Sequence, residues 1–217
     1  MKLVNFEKSN SVLNTYVAQL RDKKIQKDSL RFRTNLRRVG EVFAYEISKT
    51  LTYSTKDVQT PLGTASVSTI DDKIVLANIL RAGLPVHEGM LSVFDGAESA
   101  FLAAYRKYDA ADKFHVNTEY CTCPSLGGKV LIVTDTMIAT GSSLILAYER
   151  LISEGGEPVH THLVCPIASA YAVESLKKAM PSSVTLWTAA VDEELTGHSF
   201  VVPGLGDAGD LAYGSKA

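Results

Sequence analysis

From Lys73 to Val191 the chain alternates between two periodicities, and this alternation limits the fold more than any other feature. The apolar runs KIVLANIL, SAFLAAY, KVLIVTD, THLVCPI and TLWTAAV have the length and composition of strands rather than of buried helices. Between several of them lie longer stretches, such as SSLILAYERLISEGG and ASAYAVESLKKAMP, whose apolar positions recur at helical spacing. A strand that reads as a nearly continuous apolar run is covered on both faces, and helices following strands supply that cover. The expected class is therefore α/β, a mostly parallel sheet flanked by helices. In such sheets ligands bind beyond the carboxyl ends of the strands, which directs attention to the residues that follow each run.

The first third of the chain has a different pattern. Val12, Leu13, Tyr16, Val17 and Leu20 share one helical face, and Leu36, Val39, Phe43 and Ile47 share another after a possible cap at Asp28 or Ser29. Between them, SLRFRTNLRRVG carries Arg31, Arg33, Arg37 and Arg38; this is either a solvated helix face or the basic edge of an anion site. Alternation around TASVSTI adds a further strand. No repeat, low-complexity segment or Pro/Gly/Ser linker divides the 217 residues, so a single domain is expected. Its core would cover about 70–190, with a C-terminal segment over about 191–217.

Charge narrows the range of partners. With 22 basic and 24 acidic residues the formal charge is −2, and no block of one sign stands out to recruit nucleic acid or a membrane surface. No apolar stretch approaches the ~18 residues of a membrane span, and MKLVNFEKSN lacks the apolar core of a secretory signal. A cytoplasmic protein with small-molecule substrates is expected. Cys121, Cys123 and Cys165 are odd in number, and the first two lack the spacing of a redox or zinc pair, so they read as free thiols. His160 and His162 share one strand face but have no third ligand in sight for zinc.

Three stretches can carry chemistry. In VLIVTDTMIATGSS a strand delivers Asp135, and a loop of small and hydroxylic residues, Thr136, Thr140, Gly141, Ser142 and Ser143, leads into a helix. Unpaired amides and the positive end of a helix dipole converge there, a combination that binds phosphate. The Asp135 carboxylate suits ribose hydroxyls or a hydrated magnesium ion. No Walker loop and no dinucleotide fingerprint is present; an ordinary capped strand-to-helix loop has the same spacing. In ILRAGLP, Arg81 leaves a strand end beside Gly83, placed either to clamp a diphosphate or to form a salt bridge at the sheet edge. The tail FVVPGLGDAGD runs from an apolar anchor into a glycine-rich loop, and glycine there admits a tight turn or the close approach of another molecule.

Together these stretches carry a resemblance. VLIVTDTMIATGSS resembles the ribose-phosphate motif of the type I phosphoribosyltransferases, ILRAG their diphosphate loop, and VPGLGDAGD is similar to the C-terminal signature of their uracil-specific branch. The resemblance extends from about Ser29 to Gly214 and leaves the first helix outside it. It implies that type of fold, with a small hood formed by the N- and C-terminal segments and a β-hairpin arm. It also implies transfer of a phosphoribosyl group from 5-phosphoribosyl 1-diphosphate to uracil, giving UMP and diphosphate, with Mg2+ carried by the substrate and no direct protein ligand to the metal.

Carried over by position, Asp135, Thr136, Met137, Ile138, Ala139, Thr140, Gly141, Ser142 and Ser143 would hold the phosphoribosyl part. Arg81 and Arg106 would hold the diphosphate and Asp207 the donor, while Val201, Gly206, Asp207 and Ala208 would contact uracil. Asp135, Arg81, Arg106 and Asp207 would carry the reaction. A homodimer or higher oligomer is the family expectation.

Two positions depart from the usual Asp-Pro-Met-Leu-Ala-Thr-Gly-Gly-Ser pattern: Thr136 stands at the proline and Ser142 at the second glycine. Residues 109–123 read either as a cover over the reacting ribose or as a surface hairpin. The alternative to an enzyme is a non-catalytic relative that senses uracil nucleotides or phosphoribosyl diphosphate.

Overall fold

In the computed structural model the strands assemble into one eight-stranded sheet and two small ones. The structure describes residues 1–108 and 114–215, without the side chains of 104–119. In chain order the elements are β1 (Lys2–Asn5), α1 (Val12–Arg21), α2 (Ser29–Ser48), β2 (Tyr53–Thr60), β3 (Gly63–Ile70), β4 (Ile74–Leu80), α3 (Leu84–Leu91), β5 (Glu98–Tyr108) and β6 (Phe114–Thr122). Then follow β7 (Val130–Thr134), β8 (Met137–Ile138), α4 (Ser142–Gly155), β9 (His160–Ser169), α5 (Ala170–Ala179), β10 (Val184–Asp192), β11 (Glu194–Leu195), β12 (Val201–Val202) and α6 (Ala208–Tyr213).

The main sheet runs β1-β10-β9-β7-β4-β5-β6, with β8 beside β9. Its pairs are parallel except β5 with β6. The five apolar runs are thus β4, β5, β7, β9 and β10. The alternation of their side chains divides the core. Val75 and Ala77 of β4 and Leu131 and Val133 of β7 face α4 and α5, whereas Leu76 and Ile132 face α2 and α3. Both faces are covered, as an apolar parallel strand requires.

The N-terminal segment differs from its sequence reading. Lys2–Asn5, four residues with no legible period, extends the sheet beside β10 in the register Lys2 to Thr185. The early arginines lie along α2, whose N-cap Asp28 accepts the Arg31 amide, and they act as packing and surface groups. Arg37 pairs with Glu41, Arg38 lies over the Tyr16 ring, and the Arg33 guanidinium donates to the Ala212 carbonyl at 2.6 Å. TASVSTI becomes β3, paired with β2 in an exposed hairpin arm separate from the main sheet. Of the proposed cover at 109–123, residues 114–122 are the hairpin strand β6, and 109–113 lie outside the described residues.

A buried polar pair ties β9 to β10. His162 Nδ1 accepts the Trp187 indole N–H at 3.0 Å, and Trp187 lies against Phe6. His160 bonds Thr185 instead. Desolvation holds His162 neutral, its pKa lowered to about 3, with the neighbouring His160 adding to the shift. On α3, burial likewise lowers His87 to about 4.

Each histidine has a folded-state pKa below its unfolded value of about 6.5, so between those values the unfolded chain binds more protons and stability falls as pH falls. The cost at pH 5 is of order 2 kcal/mol per histidine. His162→Gln, whose side-chain oxygen can still accept from Trp187, is expected to show a correspondingly smaller loss of stability between pH 7.5 and pH 5. Denaturant melts of both proteins at the two pH values measure it, and equal losses would remove His162 as the cause.

Candidate functional site

Neighbouring strands bring two of the sequence motifs together. The parallel β4 and β7 align Asn78 with Thr134, and the Thr134 hydroxyl donates to the Ala77 carbonyl at 3.2 Å. Arg81 and Asp135 therefore leave adjacent strand ends on the same edge of the sheet. The tail completes the third wall. A cleft of about 770 Å³ is lined by Arg81, the run from Asp135 to Gly141, Ser143, and Gly206 to Ala208.

Of the predicted residues, Ser142 and Val201 do not line this cleft. Ser142 is the first residue of α4 and exchanges hydroxyl contacts with Thr140. Val201 is buried in the core and anchors the tail from below. The Arg106 backbone belongs to β5, but its side chain lies outside the described residues.

The loop after β7 has the geometry of an anion cradle. Gly141 caps α4 in the left-handed conformation, at φ 85°, with no side-chain cap of its own, and the Ser142 amide reaches Thr140 Oγ1 at 3.4 Å. Glycine is suited to that backbone, and the amides of the first turn point their dipole toward the cleft. Neither Ser142 nor Ser143 is the cap. Asp135 is half-buried at the head of this loop. Desolvation pushes its carboxyl up to about 6, against the lowering effect of the Thr136 and Met137 amides. The Thr136 amide donates to Asp135 Oδ1 at 2.7 Å, so threonine at the usual proline position provides a hydrogen bond that proline lacks.

Arg81 is already engaged. Its guanidinium contacts Asp210 Oδ1 at 3.0 Å and the Gly214 carbonyl at 3.3 Å. Asp210 lies in the first turn of α6, and Asp207 caps that helix by accepting the Asp210 amide. The arginine thus bridges the strand end and the tail. Gly83 lacks a side chain for a packing reason. A Cβ there would strike the Asn78 side chain and approach the Thr134 carbonyl at 2.7 Å, so its missing side chain faces inward.

The cleft also contains residues that the sequence reading passed over. Ala82, Ser199, Phe200 and Gly209 line it. The tail anchor is Val201 alone, whereas Phe200 is 49% exposed because the β11–β12 turn rotates it outward to the cleft. An aromatic residue directly before a buried valine, with strand alternation sending the two to opposite sides, was the available signal.

These features define a class: an α/β fold of the type I phosphoribosyltransferases, with a strand–loop–helix turn after β7 and an arginine turn after its neighbour β4. Comparison with known proteins narrows the class. The family model for uracil phosphoribosyltransferase matches residues 7–215, and the chain belongs to that family. A uracil phosphoribosyltransferase of Porphyromonas gingivalis is 51% identical over 216 residues, covering 100% of both chains. One from Methanothermobacter thermautotrophicus is 39% identical over 189 residues, 86% of this chain and 85% of that protein. The solved structure of a protein from Aquifex aeolicus superimposes with a TM-score of 0.84 at 28% identity, covering 97% and 98% of the two chains.

The Asp135 and Thr136 geometry generates two predictions. Asp135→Asn keeps the side-chain shape and removes a desolvated charge. Because the folded pKa lies above the unfolded one, the native state binds the proton more tightly, and ionisation costs stability as pH rises from about 4 to 6. The variant is therefore expected to melt no lower than the parent at pH 8 while turning over at least ~10²-fold more slowly. Normal turnover would refute the role of Asp135.

Thr136→Pro, with Ser142→Gly beside it, is expected to alter turnover only modestly, since the α4 amides remain. It should also move the acidic limb of the pH–rate profile upward, because Asp135 loses an amide that favours its charged form. An unshifted limb would separate that limb from Asp135.

Proposed function

We propose that this protein transfers the phosphoribosyl group of 5-phosphoribosyl 1-diphosphate to N1 of uracil, releasing UMP and diphosphate. The observation that carries the proposal is the convergence of the β7 loop, the Arg81 turn and the glycine-rich tail on one cleft, in a chain 51% identical to a protein named uracil phosphoribosyltransferase. The non-catalytic sensor has no observation in its favour.

In this reading the α4 amides and the hydroxyls of Thr140 and Ser143 hold the 5-phosphate. Asp135 accepts the ribose hydroxyls, and Arg81 exchanges Asp210 for the diphosphate; Arg106 is assigned to the diphosphate by resemblance alone. Breaking the anomeric C–O bond leaves positive charge on the ribose and negative charge on the leaving diphosphate. The Arg81 guanidinium stabilises the negative charge on the leaving group and the Asp135 carboxylate the positive charge on the ribose as they develop. The new bond forms between the anomeric carbon and N1, whose proton is released.

Among the described residues no group of three His, Cys, Asp or Glu side chains could hold a metal ion. A magnesium ion carried in with the diphosphate would find the Asp135 carboxylate at the head of the loop and would supply charge neutralisation to the leaving group. Unpaired Cys121, Cys123 and Cys165 suit a reducing cytoplasmic setting. No helix among the described residues is long and apolar enough to cross a membrane. Exposed Val58, Leu62 and Val67 on the hairpin arm suit an oligomer.

UMP formation from the two substrates with magnesium tests the activity. If the backbone of Gly206 to Ala208, which lines the cleft, reads the ring, cytosine presents an amino group where O4 was expected and a bare lone pair at N3. Such mismatches cost a hydrogen-bonding site about 10⁴–10⁵ in kcat/KM. Cytosine is therefore expected to be essentially inert, and a small substituent at C5, away from the reading edge, to be tolerated. Ala208→Val should weaken uracil binding far more than binding of the diphosphate substrate. Equal losses, or efficient use of cytosine, would mean that the glycines only turn the chain.

A further inference from the structure

The first helix, which the sequence motifs leave out, is bonded to the back of the tail loop. Arg21, the last residue of α1, forms a two-pronged pair with Asp192, Nη1 to Oδ2 and Nη2 to Oδ1, both at 2.8 Å. Asp192 ends β10 and is 7% exposed; Arg21 is 22% exposed. The pair also holds both backbone polar groups of Gly204. Arg21 Nη1 donates to the Gly204 carbonyl at 3.0 Å, and the Gly204 amide donates to Asp192 Oδ2 at 2.9 Å. One residue on, the Leu205 carbonyl accepts from Gln26 Nε2 at 3.1 Å, and the same amide group also bonds Leu20.

Gly204 itself is at φ +54°, and a Cβ there would strike the Val201 carbonyl. The loop thus makes a turn that only glycine fits, and its polar groups are fixed from outside.

We infer that Arg21 and Asp192 position the loop from Val201 to Ala208 for reading the base, so that α1 belongs to the uracil half of the site without touching substrate. The inference rests on the assignment of that loop to uracil. Backbone recognition works only if the peptide groups are held still, since a misplacement of about 1 Å can cost 10²-fold. Self-contained loops are held by a regular ladder. This one has only the two-residue pair of β11 and β12 before the turn and a six-residue helix after it. The charged pair replaces the missing ladder, with hydrogen bonds strengthened because both partners are ionised. Among the described residues nothing comparable reaches the loop after β7 from α1, so the two halves of the cleft should respond separately.

The test uses Arg21→Gln, Arg21→Lys and Asp192→Asn in the full chain, with KM measured for each substrate and amide exchange followed in the ligand-free protein. The expected result is a rise of about tenfold or more in KM for uracil, with a clearly smaller rise in KM for the diphosphate substrate, to which Asp207 alone of this loop is assigned. Exchange of the Gly204 and Leu205 amides should accelerate while that of α4 is unchanged. Arg21→Lys, which keeps the charge but not the fork, should fall between, and it provides the comparison if Arg21→Gln does not fold. The double variant Arg21→Gln with Asp192→Asn should be no worse than the poorer single one, because the two act as a unit.

Parallel losses for both substrates, or unchanged exchange at Gly204, would overturn the inference. A parent that makes no UMP would instead refute the assigned reaction. The exchange measurement would then still decide the bracing role alone.

Discussion

The pairing of β4 with β7 is the constraint from which the rest of the site follows. Parallel strands end on the same edge of a sheet, and the register that sets Asn78 against Thr134 fixes the relative position of the two loops that leave there. One loop turns into α3 after Arg81, the other into α4 after Gly141. Neither loop needs to find the other, because the separation of the two strand ends, one strand spacing of about 4.8 Å, is already determined by backbone hydrogen bonds in the core. The inward-facing Gly83 serves this arrangement by letting the Arg81 turn rest on the Asn78 side chain and the Thr134 carbonyl.

Electrostatics then acts on a fixed frame. Asp135 is kept where burial disfavours its charge, an arrangement costly for stability and useful only if a ligand brings compensating hydroxyls or a cation. Arg81 has the opposite arrangement, being supplied with a carboxylate and a carbonyl from the tail. Both partners belong to the segment around α6, so the Arg81 turn and the tail share a charged contact. At 40% and 35% side-chain exposure, that pair is a weak tie and one that a multiply charged ligand can displace.

The parts of this fold that could be read in the sequence are those with long periods. The five strands with apolar runs and the helices between them follow from patterns seven or more residues in length, and the Asp135 loop follows because its chemistry is contiguous. What was missed is short or split. β1 is four residues long and is a strand only because β10 offers an open edge. Phe200 was read with Val201 and Val202 as one apolar anchor, although alternation in an extended segment separates them. Arg21 and Asp192 are 171 positions apart, each in a local context that fits a surface charge; no local pattern announces that they meet.

The two halves of the cleft differ in how their order is maintained, and the difference follows from the ligand chemistry each suits. A phosphate is nearly isotropic and highly charged. Several amides at one helix start bind it whatever their small displacements, so the strand–loop–helix unit is sufficient by itself. A neutral ring with alternating acceptors and a single donor is the opposite case, because each hydrogen bond is directional and an error in one peptide plane turns attraction into repulsion. Reading such a ring by backbone requires glycines, and glycines remove the side chains that would otherwise hold the loop in place. The rigidity must then come from elsewhere in the chain. The end of α1 and the end of β10 are the elements that reach Gly204, which gives a physical reason for a helix outside the signature motifs to be retained at the back of the site.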